Sequence, residues 1–233
     1  MLNFVLSLLP GILIVLFIYH KDKHEKEPYR YVFFCLLFGM LSCIPAIMGT
    51  LAVEYAMGIP APAQSLDLRV VAFYAFIAVG LSEELAKYIF LRLYIYRKEE
   101  FDEPMDGIVY AVIISMGFAI LENVLYVYEG GLNVAILRMF TAVPGHAAFG
   151  VIMGYYIGLA KFHPSPSQSF RLHLQGIFSA ALVHGAYDFF LFQNNFILLS
   201  FLAFAILIIG IWMSNRLIHL HLENSPHNEE NKI

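Results

Sequence analysis

The stretch Ser82-Glu83-Glu84-Leu85-Ala86-Lys87 sets two adjacent carboxylates against one amine inside an otherwise apolar run. On a helix, Glu83 and Lys87 stand at i and i+4, and Glu84 and Lys87 at i and i+3, so the lysine reaches either acid. The two acids point about 100° apart and cannot share one face. Lys87 can therefore neutralise one while the other turns into a cavity, where a carboxylate suits the work of a general base toward water. The plainer reading is a buried Glu–Lys pair that only locks helix packing, which leaves the second glutamate unexplained.

Three further groups belong to the same inventory. Glu122 lies in Phe118-Ala119-Ile120-Leu121-Glu122-Asn123, one turn from the end of an apolar stretch, where it either joins a polar site or snorkels to the interface. His146 follows Pro144-Gly145 and precedes Gly150, Gly154 and Gly158, whose four-residue spacing makes a groove for close helix approach. His184 has Asp188 one turn on, able to orient the imidazole. A lone intramembrane histidine is more often a packing residue, but two with three glutamates in so uncharged a chain favour a shared site.

The elements that must hold these residues are membrane helices. Of 233 residues, 60% are hydrophobic and 14% charged, with a mean hydropathy of +0.70. A soluble domain carries roughly 25% charged residues, so lipid must cover the excess apolar surface. With about 20 residues per crossing, the expected spans are Leu2 to Tyr19, Tyr31 to Met57, Val70 to Tyr94, Gly107 to Tyr128, Pro144 to Phe162, Leu174 to Phe192 and Phe196 to Met213. The fold class is thus an all-α polytopic bundle of seven spans. Leu132 to Val143 is too short to cross and is either an interfacial helix or a broken first part of the fifth span, giving eight as the other count.

Basic residues orient the bundle. Lys21, Lys23, Lys26, Arg30, Arg92, Arg97, Lys98, Lys161, Arg171, Arg216 and Lys232 follow the odd-numbered spans, while Arg69 and Arg138 fall on the other side. The positive-inside rule then expects an extracytoplasmic N-terminus, a cytoplasmic C-terminus and residence in the cell membrane. The first span lacks a basic leader and a cleavage site and reads as an uncleaved anchor. On this topology His146 and Glu122 lie toward the outer side and Glu83 and Glu84 near the middle, so the cavity is expected to open outward. Residues 1–213 form the membrane domain and 214–233 a polar, mobile tail in which His219 and His221 are solvated. Cys35 and Cys43, about 12 Å apart on one helix, are packing residues that cannot pair. A net charge of −4 and the lack of a basic face give no support for nucleic-acid binding.

In order and spacing, these motifs resemble the PrsW family of intramembrane proteases, distant relatives of CAAX prenyl proteases and bacteriocin-processing membrane enzymes. The resemblance runs from about Val70 to Phe190. It rests on Glu83, Glu84 and Lys87, on Asp106-Gly107, on Phe118 to Glu122-Asn123, on Arg138 and His146, and on His184 with Asp188. It implies cleavage of a single-pass membrane protein, such as an anti-sigma factor, near the extracytoplasmic face. Glu83 or Glu84 would activate water, Glu122, His146 and His184 would complete the catalytic set, and Lys87, Asn123, Arg138 and Asp188 would support it. Wider relatives often carry Asn where this chain has Asp188, and an ionised Asp cannot donate to an oxyanion.

Glu122, His146 and His184 could also hold zinc, although the compact HExxH helix is absent. The cofactor is thus zinc or none, and a metal-free glutamate mechanism is the preferred expectation. Two other classes compete: an ion- or proton-coupled transporter, which lacks an evident inverted repeat, and a scaffold holding a partner helix in the Gly150, Gly154, Gly158 groove.

Overall fold

The computed structural model describes residues 2–58, 67–193 and 197–228. The chain is a helix bundle with no strand among the described residues: α1 (Leu2–Lys21), α2 (Tyr29–Met57), α3 (Leu68–Phe73), α4 (Ser82–Tyr94), α5 (Pro104–Phe140), α6 (Ala142–Phe162), α7 (Pro166–Phe192) and α8 (Ile197–Glu223). A π-helical segment, Tyr74–Leu81, joins α3 to α4 in one column. Each expected span coincides with a helix or column; the start of the last, at Phe196, lies outside the described residues.

Among the described residues, four stretches are long and apolar enough to cross a membrane: Phe4–Lys21, Tyr29–Met57, Pro104–Phe162, which contains both α5 and α6, and Leu198–Glu223. The α3–α4 column and α7 are diluted by the ionisable residues that build the site. Helices α1, α2 and α8 expose Phe17, Phe33 and Trp212, as expected of faces whose solvent is hydrocarbon. The protein is a membrane helix bundle.

Helix α5 is the core. Pro104 opens it at a position where a missing N–H costs nothing, and every residue from Met105 to Ile120 is buried. It packs against α1, α2 and α6. Contact with α6 is glycine-mediated: a β-carbon on Gly107 would stand 2.5 Å from Gly154 O and Gly158 N, and one on Gly154 would meet Gly107 O. The glycine groove therefore exists, but α5 fills it, which corrects the scaffold reading in which a partner helix lies there.

Further details differ from expectation. The stretch from Leu132, expected as an interfacial helix or a broken first part of the fifth span, is for the most part the far arm of α5, beyond a kink at Gly131. Gly131 adopts φ 69° and ψ −155°, a conformation essentially restricted to glycine. Beyond it the chain doubles back, since Arg138 bonds Glu122 and Asn123, residues that a straight helix would hold more than about 20 Å away. Pro144 does not break α6 but sits in its first turn. Helix α8 runs past residue 213 to Glu223. His221 is buried with a ring nitrogen 3.2 Å from Tyr155 O, not solvated, whereas His219 is exposed. Ser225 is buried against Glu103. Residues 229–233 lie outside the described residues.

Candidate active site

The π-helical segment precedes the two glutamates directly, and its irregular register sets the direction in which they leave the column. Thr50 Oγ1 of α2 donates to Ala78 O at 2.7 Å, meeting a carbonyl within that segment. Gly80 and Gly185 let this column touch α7: a β-carbon on Gly80 would stand 3.0 Å from Ala181 O, and one on Gly185 would stand 2.5 Å from the Phe76 ring. That contact places His184 beside Glu84.

Glu84 and Lys87 are buried and bonded at 2.7 Å. Glu84 Oε1 also lies 2.9 Å from His184 Nδ1. The other nitrogen of that ring, Nε2, lies 3.2 Å from Asp188 Oδ2 and 3.8 Å from Glu83 Oε2. Phe149 stacks on His184 with centroids 4.6 Å apart, fixing the ring plane. Both expected partners, Lys87 and Asp188, thus occupy the places their spacing implied.

Lys87 Nζ also lies 3.0 Å from His146 Nδ1. An ammonium only donates, so Nδ1 accepts and the proton resides on Nε2, which donates to Glu122 Oε2 at 2.8 Å. Glu122 in turn takes Arg138 at 2.7 Å. Glu122 is thus held inside the site and does not snorkel away. Asn123 is buried, donating to Ser7 O and accepting from Arg138 Nε at 3.1 Å each, so it anchors the doubled-back arm and does not line the cavity.

Four residues, Glu83, Glu84, His146 and His184, each offer a ligand atom, all within 4.8 Å of one another. The zinc set expected from sequence included Glu122; the geometry instead groups the two histidines with Glu83 and Glu84, because Arg138 draws Glu122 aside. Glu83 Oε2 and Glu84 Oε2 are buried without a hydrogen-bond partner. Two imidazoles and two carboxylates are donor types that a borderline-soft divalent ion such as zinc takes, and an ion there would have to displace Lys87 or Glu122 from His146 and Glu84 or Asp188 from His184.

A cavity of about 690 Å³ reaches this cluster. Glu83, Glu122, Arg138, His146, His184 and Asp188 line it, and Glu84 does not. Its other walls come from the last turns of α2 and α7 and the start of the α3–α4 column, so it extends away from the basic-loop end. Sequence reasoning missed Glu54, which accepts from Tyr74 OH at 2.8 Å in the cavity wall. The available signal was an acid within the apolar α2 stretch.

No solved structure matches the chain. Its sequence is 38% identical to Protease PrsW of Geobacillus kaustophilus over 80% of this chain and 78% of that protein. It is 36% identical to Protease PrsW of Oceanobacillus iheyensis, covering 78% and 79%. Protease PrsW of Bacillus subtilis is 33% identical over the same shares. Residues 27–213 match the family described as PrsW family intramembrane metalloprotease. With charged residues from four helices gathered on one intramembrane cavity, and with this match over most of its length, the chain belongs to the PrsW family and is a membrane-embedded protease.

Proposed function

We propose that the protein hydrolyses a peptide bond of a single-pass membrane protein near the extracytoplasmic face, with Glu83 as the base toward water. The observation that carries this assignment is the division between the two glutamates. Glu83 lines the cavity and meets Lys87 and His184 only at 3.5 and 3.8 Å, while Glu84 is sealed behind it, bonded to Lys87 at 2.7 Å and His184 at 2.9 Å. A base must reach its water, and only Glu83 meets that demand.

The remaining groups take roles from their contacts. Glu84 and Asp188 hold the two nitrogens of His184, which faces the cavity and is placed to pass a proton to the leaving amine. Glu122 and Lys87 do the same for His146. Arg138, in the cavity wall, offers guanidinium donors for a developing oxyanion, a role an ionised Asp188 cannot fill.

The donor set and the family description favour a divalent metal over the metal-free route preferred from sequence; His146, His184 and Glu84 would then hold it with Glu83 left as the base, and the proton transfer by His184 belongs to the metal-free route. Bound there, such an ion would polarise the scissile carbonyl and make hydroxide available near neutral pH. Stoichiometric zinc in purified protein, lost together with activity, is the result expected; activity in protein free of metal returns the metal-free route.

The basic-loop pattern supports a cytoplasmic C-terminus and seven crossings, which puts the cavity on the extracytoplasmic side. An anti-sigma factor is the substrate class the resemblance favours. The test is reconstitution with candidate single-pass substrates, comparing wild type with Glu83→Gln and mapping the cut by mass spectrometry. Undiminished cutting by Glu83→Gln removes it as the base.

A further inference from the structure

At the end of the bundle opposite the proteolytic cavity, three chain segments bring carboxylates together where the mechanism uses none. Asp22 directly follows α1, Glu103 precedes α5, and Asp106 lies in the first turn of α5. Their relative exposures are 1%, 0% and 2%. Each offers an oxygen, and these oxygens lie within 4.8 Å of one another.

Carboxylates so placed repel and lose hydration, so something must compensate them. Among the described residues no basic side chain forms an ion pair with any of the three. Lys26, the nearest amine, spends its donors on the carbonyls of Tyr19, His20 and Asp22 at the end of α1. Asp106 Oδ2 accepts the backbone N–H of Asp102 and of Glu103, each at 2.8 Å, and Glu103 Oε2 accepts from Ser225.

What remains is independent of the clustering. Both carboxylate oxygens of Asp22 and Oε1 of Glu103 are buried with no hydrogen-bond partner. An unpartnered buried carboxylate loses its hydration with nothing to replace it, and native structures rarely leave one unanswered.

We propose that Asp22, Glu103 and Asp106 form a structural site for a hard divalent cation, Mg²⁺ or Ca²⁺. The donors are all oxygen, which excludes the soft ligands zinc favours. Oxygens on opposite sides of Ca²⁺ at about 2.3–2.6 Å stand up to about 5 Å apart, and around Mg²⁺ about 4 Å, a range that covers the observed cluster. The bound ion ties the α1–α2 connection to the start of α5 and, through Glu103 and Ser225, to the segment after α8. Asp106 and Glu122 are sixteen residues apart on α5, roughly 24 Å along its axis, so this site and the proteolytic one do not share ligands.

The experiment uses the full chain in detergent, stripped with EDTA and titrated with MgCl₂ or CaCl₂ while thermal unfolding is followed. Direct Mn²⁺ binding by electron paramagnetic resonance supplies a stoichiometry. Either Mg²⁺ or Ca²⁺ raises the unfolding temperature, and Asp22→Asn and Glu103→Gln weaken binding by roughly tenfold or more, while His146→Ala leaves that shift intact. If Asp22→Asn does not fold, Glu103→Gln reads the same affinity. A stripped protein indifferent to both ions overturns the proposal, as does a shift that survives both carboxylate variants or disappears with His146→Ala.

Discussion

Glu84 Oε1 contacts Lys87 Nζ at 2.7 Å within its own helix and His184 Nδ1 at 2.9 Å across one hundred residues of sequence. One sealed oxygen therefore holds the amine that fixes His146 and the ring that Asp188 completes. Removing its charge leaves Lys87 buried with weaker partners. Glu84→Gln should lower stability by about 3–5 kcal/mol, whereas Glu83→Gln, at the cavity wall, should unfold near the wild-type temperature yet fail to cleave. Paired thermal unfolding and cleavage assays separate the two; equal destabilisation would contradict the division of roles.

Arg138 reaches Glu122 only because Gly131 reverses the chain. Gly131→Ala should cost roughly 1–3 kcal/mol of backbone strain and release the arm from Leu132 to Phe140. Faster hydrogen exchange across that arm, with reduced cleavage, is the expected pair of results. Arg138→Gln should reproduce both effects without touching the backbone.

The α5–α6 contact predicts an order among glycines. A β-carbon at Gly154 meets Gly107 backbone, while at Gly150 its nearest atom is the rotatable Ser115 Oγ at 2.7 Å. Gly154→Ala should therefore destabilise by about 1–3 kcal/mol, in the range of overpacking, and Gly150→Ala by less. Unfolding temperatures of the two variants in one detergent test this ranking.

The basic-loop end predicts a pH dependence in the cation-free protein. Burial, reinforced by Glu103, pushes Asp22 up to about 7. Burial likewise pushes Glu27 up to about 7, opposed by hydrogen bonds from Asp106 and Tyr110. Unfolded carboxyls titrate near about 4, so the folded state binds these protons more tightly. That stabilisation is complete below about pH 4 and is lost as pH rises through about 7. In chelator, the unfolding temperature should fall between about pH 5 and 8, and Asp22→Asn should flatten the fall; a rise over this interval would contradict the assignment.

Much was legible before any folding because lipid imposes simple rules. An apolar run long enough to cross must be a helix, and an ionisable residue inside it must find partners. Those two constraints located the helices and singled out Glu83, Glu84, Lys87, Glu122, His146, His184 and Asp188. Pairs within one helix, such as Glu84 with Lys87 and His184 with Asp188, followed from the helical repeat alone.

What the repeat cannot encode is which helices touch and at what rotation. The choice of Glu83 as the cavity-facing acid depends on the π-helical segment and the Gly80–Gly185 approach. Glu122 meets Arg138 only through the reversal at Gly131. The Asp22, Glu103 and Asp106 cluster brings Asp22 to two residues more than eighty positions away, a juxtaposition that no local spacing encodes. Local periodicity fixes a residue's direction on its own helix, but convergence between helices is set by packing, and packing is a property of the whole chain.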